Sequence, residues 1–576
     1  MKFPQPSRMN LLLRAHHLEG KGSALGARAL DMVETTLKAM AKGGIYDHLL
    51  DGFARYSTDP RWHVPHFEKM LYDQSQLATA YIEAFQVTRN VAYADVARGV
   101  LRYVLRDMTD KDGGFYSAED ADSLPLEGAT EKKEGAFCVW TEPELTRLLH
   151  GEGGVSLPGE GGQRVPVSSL FCRVYGVRPG GNVDPAADVH GELTSQNVLF
   201  KSETVEAAAT ALGLTCSVED AETAMTSARA NLVAARRKRP APHLDDKVLT
   251  CWNGLMISAL ARASQAFSSS PPSEESLTYL RAATKAAEFV RGNLYRVGNG
   301  EATGTLLRSW RNGRASPVEG FADDYAFLIR GLIDLYEADP RREAGWRWLR
   351  WARELQAITK RAIKMDEGFA CPPEAGGGYY SSRTPESGGN DSGVLPYRLR
   401  TDYDGAEPGA GSVAADNLLR LSGYFGGQEG EELRRKAAEQ LAAAFALPET
   451  PQAFPELTAS LVTALLGPKQ VIIAGDPAAA ESQALVSAAQ RCFCPNLVLI
   501  MDDTTAPVTT ATTTAGGDRG DKGQDGEAPL PLFREVLQTY GGGNGTGEGQ
   551  RAAAYVCFDN SCSRPVHTVQ TLEELL

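Results

Sequence analysis

The chain has 576 residues, 42% of them hydrophobic and 23% charged, enough to bury a large core in several domain-sized units or in one big helical ring with an appendage. Lys and Arg number 59 against 73 Asp and Glu, a net charge of -14, which repels phosphate backbones and anionic lipid and argues against nucleic acid as a partner. No run of about 18 apolar residues occurs, so no membrane-spanning helix is expected.

At the amino end Leu11-Leu12-Leu13 is interrupted by Arg14, His16 and His17, which leaves no apolar core for a secretion signal. Nine cysteines, odd in number and widely spaced, read as reduced thiols in a reducing compartment, cytoplasmic for the sequence as written. Cys557 and Cys562, with no second pair, read as buried thiols too. The one dense basic run, Arg236-Arg237-Lys238-Arg239, reads as a solvated helix C-terminus.

In chain order, apolar residues three or four apart predict helices over 24–42, 69–87, 91–108, 248–267, 277–294, 321–337, 346–364, 412–424, 431–445 and 453–466. Gly43-Gly44 is expected to end the first through a left-handed cap. Paired glycines precede a short aromatic segment at Gly43-Gly44-Ile45-Tyr46, Gly113-Gly114-Phe115-Tyr116 and Gly377-Gly378-Tyr379-Tyr380, with the aromatics expected to line a mouth. Because no fixed short repeat is found, a closed ring of helix pairs fits better than an open solenoid. The fold expected is mainly α, an (α/α)6 toroid over 1–466, with loop insertions near 151–165, 268–276 and 381–394. A small α/β unit over 467–576 follows, built on the apolar runs 470–474, 497–500 and 553–556, with a disordered insertion near 502–530.

The densest chemical signal runs from Arg55 to Gln74 and holds Arg55, Tyr56, Trp62, His63, His66, Glu68, Tyr72 and Asp73. Aromatics can stack on a sugar ring while carboxylates do acid or base work; the plainer alternative, a helix dipole favouring Glu68, accounts for one of these groups only. A second group is Tyr116 with Glu119, Asp120 and Asp122, where crowded carboxylates raise one another's pKa. His243, Asp245, Trp252 and Asn253 form a third, Asp324 and Tyr325 a fourth, Asp404 and Glu407 a fifth. If all five follow mouth loops of one ring, they meet in one acidic, aromatic-walled funnel suited to a neutral sugar. His63 and His66 lack further ligands at a metal spacing, and neither HExxH nor a CxxC pair occurs, so neither metal nor other cofactor is expected.

The segments Trp62–Asp73, Gly113–Asp122, Trp252–Met256, Asp324–Phe327 and Asp404–Pro408 resemble, in order, the signature segments of the spermatogenesis-associated protein 20 family. The resemblance implies a six-hairpin toroid similar to glycosidases and N-acylglucosamine 2-epimerases. It also implies a thioredoxin-like domain ahead of Lys2-Phe3-Pro4 that this sequence does not contain. After Asp404–Pro408 the family pattern carries Ser-Gly-Asn-Ser, where this chain reads Gly409-Ala410-Gly411-Ser412 and loses the Asn amide.

Two functions from different classes follow. One is a carbohydrate-active enzyme: a hydrolase drawing its acid and base from Glu68, Asp120, Asp122, Asp324, Asp404 and Glu407, or an epimerase with His66 or His243 as base. Arg55, Tyr56, Trp62, His63, Tyr72, Asp73, Tyr116, Asp245, Trp252, Asn253 and Tyr325 would bind its small carbohydrate. An inverting hydrolase would need two carboxyls about 6.5–9.5 Å apart. The other is a non-catalytic binding or scaffold protein with a role in spermatogenesis or development.

Overall fold

The computed structural model describes residues 1–20, 22–150, 155–298, 304–341, 344–360, 380–381, 403–445, 451–503, 552–558 and 561–576. It divides into two compact units, residues 1–256 with 309–314, and residues 257–308 with 315–576. The fold class is mainly α, built from consecutive helix pairs, with short strands between them.

In the first unit α1 (Pro6–Glu19) pairs with α2 (Ala24–Lys42), α3 (Leu71–Thr88) pairs with α4 (Val91–Asp107), and α1 packs on α3. Ser23 and Asn90 start α2 and α4 by accepting the amides of Gly26 and Ala92, as short oxygen side chains do at a helix start. Helix α3 is buried on every side from Leu71 to Ala78 and again from Ala80 to Ala84, whereas α2 buries only the stripe Gly26, Ala29, Val33, Leu37 and Met40. A helix buried all round belongs to an inner layer and a striped one to an outer layer, the division of labour in α/α hairpin folds. Leu25 and Met32, apolar members of the α2 periodicity, lie at 60% and 50% exposure on its outer side.

Gly43 corrects one expectation. It is not left-handed (φ -69°, ψ 168°). A Cβ built there would meet the Trp62 carbonyl oxygen at 2.2 Å, and one on Gly44 would meet that of His63 at 2.1 Å. The two glycines admit the loop that carries Trp62 and His63, and no left-handed cap is involved.

Residues 133–250 hold helices that the periodicity did not announce: α5 (Glu142–His150), α6 (Val167–Val174), α7 (Val205–Ala211) and α8 (Val218–Arg236). They share their own core around Trp140, Leu145, Leu170, Phe171, Ala221, Met225 and Leu232. The loop insertion expected near 151–165 contains paired strands, Ser156–Pro158 against Arg164–Pro166, and buries Leu157 in that core. The basic run at the end of α8 is only in part a solvated end: Arg237 and Lys238 are exposed, Arg236 and Arg239 are not. Arg236 is 2% exposed and grips Asp47 through two 2.8 Å bonds, while Arg239 donates to the carbonyls of Phe137 and Val139 and stacks on Trp140.

The helix Thr250–Ala266, α9, begins in the first unit and ends in the second. Within the second unit α10 (Glu274–Asn293) packs on α11 (Ala322–Ala338), α11 on α12 (Trp346–Lys360) and α13 (Ala410–Tyr424), and α13 on α14 (Gly427–Phe445) and α15 (Pro455–Leu466). Helices α11 and α13 are buried nearly all round, again as inner helices. Their polar residues are matched in place: Asp334 accepts from Arg262 at 3.0 Å and Arg420 at 2.7 Å, and Arg330 bonds Glu456 at 2.5 Å.

The chain closes on a four-stranded sheet. Lys469–Gly475 pairs in parallel with Leu497–Asp503 across α16 (Ala480–Arg491), and antiparallel on its other edge with Ala553–Phe558, which pairs with Ser561–Cys562. Val471, Ile473, Leu499, Met501 and Ala554 pack under α16 and the helix Val569–Leu575. Cys557 and Cys562, expected as thiols, face each other across the last strand pair as a disulfide; six other cysteines among the described residues are free, with Cys251 and Cys494 buried. The third glycine–aromatic segment, 377–379, and the insertions expected near 381–394 and 502–530 lie largely outside the described residues. Among the described residues no helix is long and apolar enough to cross a membrane.

Candidate functional site

Three of the five sequence groups meet in the first unit through one small sheet. Its strands are Lys69–Met70, Ala118–Glu119 and Leu244–Asp245, with Lys69 opposite Glu119 and Glu119 opposite Leu244. Asn253, 0% exposed, locks the third group to the second: the Phe115 amide donates to its Oδ1 at 2.8 Å, and its Nδ2 donates to the Phe115 carbonyl at 3.0 Å. Gln74 does the same for Phe53, at 2.8 and 2.7 Å. Asn253 is therefore a buried clamp and not a ligand contact, a correction to its expected role. Phe115 is 1% exposed and lines no mouth.

Two further strand pairs frame the chemistry. Tyr56 lies opposite His66, and Asp122 opposite Glu134. A chain of alternating charge joins them. Arg55 donates from Nε to the Tyr72 hydroxyl at 2.9 Å and from Nη1 to Glu68 at 3.1 Å; Glu68 lies 3.7 Å from His66 Nε2; His66 Nδ1 bonds Glu134 at 2.6 Å. The Tyr56 ring stacks on His66, centroids 4.9 Å apart and tilted 19°. Glu134, which sequence reasoning missed, also takes part through its amide, which donates to Glu192 at 2.7 Å. Only its place opposite Asp122, visible once strands are paired, reveals it.

The bonds to Glu134 and then Glu68 push His66 up to about 9, so it is an imidazolium at neutral pH and no free base, against the epimerase expectation. Glu68 is held below its usual range, first by the His66 bond and then, against burial, by Arg55. Asp122 is pushed up by burial and then by Asp120, Glu134 and Glu192. Asp120 is half-exposed and 3.3 Å from Lys132. His243 is exposed and enters through its carbonyl, which accepts the Asp120 amide at 2.8 Å. Asp245 pairs with Lys247 at 3.1 Å. Tyr116 donates to Asp110 at 3.0 Å and is pushed up to about 12 by burial and that bond. Trp252 lies 5.0 Å from Tyr72, and its buried indole N–H has no acceptor among the described residues.

Other expected residues serve the scaffold. Trp62 is 3% exposed beneath Lys2, at 4.4 Å, and His63 packs on Phe200 with its pKa lowered by burial. Asp59 holds this loop by accepting the amides of Arg61, His63 and Val64. Asp73 is buried on α3.

In the second unit Asp324 is 0% exposed, bonded to Arg308 and to the Phe321 amide at 2.8 Å each, and raised to about 7 by burial and Asp323 against Arg308. Tyr325, also 0% exposed, accepts the Leu306 amide. Asp404 accepts the amides of Gly409 at 2.7 Å and Glu456 at 2.8 Å, pinning the start of α15, and burial and then Glu456 raise it to about 6. Glu407 accepts the Gly405 amide at its carbonyl, 2.9 Å. Asp324, Tyr325 and Asp404 thus act within the scaffold of their own unit. Among the described residues no group of three metal-ligating side chains occurs.

No family profile matches the chain. It is 38% identical over 585 residues to human spermatogenesis-associated protein 20, covering 100% of this chain and 66% of that protein. To an uncharacterized protein of Caenorhabditis elegans it is 34% identical over 589 residues, covering 100% of this chain and 70% of the other. Among solved structures it is similar to a cellobiose 2-epimerase from Spirochaeta thermophila, at 11% identity over 76% of this chain and 71% of that one, TM-score 0.32. It is also similar to a GH76 α-mannanase from Bacteroides thetaiotaomicron, at 13% identity over 77% and 87%, TM-score 0.27. Superpositions this loose carry no argument about the site. The chain spans about two thirds of the length of the mammalian relatives, matches them along all of its own, and belongs to the spermatogenesis-associated protein 20 family.

Proposed function

We propose that the first unit holds a carbohydrate-active site of hydrolytic type, with Asp122 as proton donor and Glu68 as base. The observation that supports this is that two carboxyls linked through the His66–Glu134 pair are pushed in opposite directions, Asp122 up and Glu68 down. Neighbouring carboxyls whose environments push them apart are where acid and base roles are sought. Imidazolium His66 neutralises Glu134 between them. Tyr56, only partly buried where it stacks on His66, supplies a ring for sugar C–H groups, whereas Tyr72 is 3% exposed and serves to hold Arg55.

The test is a panel of mono- and disaccharides, scored by thermal shift and by release of reducing ends, on the wild type, Glu68→Gln and Asp122→Asn. Each variant should keep the thermal shift and lose about 10²–10⁴ in turnover. A panel that shifts nothing overturns the proposal.

A second reading, a protein that binds without turnover, is favoured by the carboxylates of Asp59, Asp324 and Asp404, all occupied by backbone amides. The mammalian relatives' name would place such a role in spermatogenesis. It is preferred if sugars shift the wild type and no product forms.

A further inference from the structure

The second unit carries a chemical group that the acidic site does not use, the sulfur pair at the edge of the closing sheet. Cys557 and Cys562 lie directly opposite one another in the antiparallel register, with Phe558 opposite Ser561, and their sulfurs are joined. Cys138, Cys172, Cys216, Cys251, Cys492 and Cys494 are free, so among the described residues this pair is oxidised beside six thiols that are not. Its two halves differ in access. Cys557 is 3% exposed on the inner strand Ala553–Phe558, whereas Cys562 is partly exposed on the outermost strand of the sheet. A thiolate coming from solvent therefore meets Cys562, and Cys557 is left to depart from it.

The plainer account is a staple that fastens the last segment of the chain. That segment is already fastened. The Val556 amide donates to the Ser563 hydroxyl at 3.1 Å, the Ser563 amide donates to the Val556 carbonyl at 2.8 Å, and Ala554 and Val566 exchange both of their backbone bonds at 2.8 and 2.9 Å. His567 Nδ1 is 2.8 Å from the Ala552 carbonyl, and Leu572, 0% exposed, anchors the final helix in the core that Val566 and Val569 join. The two cysteines are five residues apart, and a ring this short removes the least entropy from the unfolded chain. A bond that adds little to the hold, with one partner open to solvent, is placed for exchange, because accessible disulfides are the labile ones. When it opens, the surrounding strand bonds keep the two sulfurs facing each other, ready to rejoin.

We propose that Cys557 and Cys562 form a reversible thiol–disulfide exchange site for a small thiol, with Cys562 as the entry sulfur and Cys557 as the resolving one. The thiolate of the small molecule attacks the Cys562 sulfur and forms a mixed disulfide; the bond between the cysteines breaks, and its electron pair leaves on Cys557, which takes a proton. A second thiolate attacks the small-molecule sulfur of that mixed disulfide and releases Cys562, which is protonated in turn. Two small thiols are oxidised to one disulfide while the protein pair is reduced to two thiols, and the reverse sequence restores it. The site does not depend on the carbohydrate reading of Glu68 and Asp122, which belongs to the other unit.

The test equilibrates the full chain, without denaturant and near neutral pH, in mixtures of reduced and oxidised glutathione, then quenches with acid, alkylates and maps the peptides by mass. The pair should pass together from disulfide to two alkylated thiols as reduced glutathione rises, and should re-form when oxidised glutathione is added, with the circular dichroism unchanged throughout. With oxidised glutathione, Cys557→Ser should take one glutathione on Cys562, and Cys562→Ser should take it on Cys557 about tenfold more slowly or less. A pair that stays oxidised until urea opens the fold, or a reduction that melts the sheet, identifies a staple and overturns the proposal. Equal rates in the two single variants overturn the assignment of Cys562 as the entry sulfur.

Discussion

Replacing Asn253 with Leu should destabilise the first unit and leave ligand affinity unchanged. The Asn253 amide fills three backbone bonds, from the Phe115 amide at 2.8 Å, to the Phe115 carbonyl at 3.0 Å and to the Leu249 carbonyl at 2.9 Å. Leucine fills a similar volume and can make none of them. Two groups of a buried loop residue are left without partners, at about 1–3 kcal/mol each, for a loss of about 2–6 kcal/mol. The Leu249 carbonyl adds little, since it lies a helical turn before Asn253 and keeps other donors within reach. Urea denaturation followed by tryptophan fluorescence reads the loss, and amide exchange at Phe115 localises it. Gln74→Leu, which cuts the matching clamp on Phe53, should fall in the same range. A loss under about 1 kcal/mol for Asn253→Leu, or a weakened sugar response at full stability, would refute the clamp and return Asn253 to the ligand side.

Two further outcomes are expected. In an NMR titration His66 should remain protonated at pH 7.5 and titrate near 9, and Glu134→Gln should bring it down toward 6.5. A histidine pKa raised by folding stabilises fully below its unfolded value, so His66 should contribute up to about pH 6.5 and lose that contribution as pH rises through about 9. An unchanged Glu134→Gln titration would show that the bond at 2.6 Å is not the cause. Asp404→Ala should cost about 1–2 kcal/mol in the second unit by uncapping α15, with Asp404→Asn milder because its amide oxygen can still accept the Glu456 amide; equal losses would mean that the charge, not the cap, matters.

Much of the helix inventory was legible because each helix writes its own buried stripe into the sequence. Helix α2 begins and ends where periodicity and the Gly43-Gly44 pair put it, and α4, α10 and α11 fall within a few residues of their expected bounds. The α5–α8 insertion was not legible. Its helices α5, α6 and α7 have nine, eight and seven residues, too short for a period to establish itself, and they hold together by packing on Trp140 and Phe171.

For the site, the sequence by itself determined which stretches crowd acids, aromatics and arginine together, since the clusters 55–74, 116–122 and 243–253 are local. It could not determine which of those carboxylates face open ground and which serve the backbone. Asp324 and Asp404 look the same in sequence as Glu68 and Asp122, yet the first two are taken up by amides at helix starts while Glu68 lies beside His66 and Asp122 opposite that histidine's partner Glu134. Glu134 is 68 residues from His66. The fate of a charge depends on the dielectric and the partners around it, and folding brings those partners from distant positions in the chain, so only the tertiary structure decided which groups act and which hold the frame.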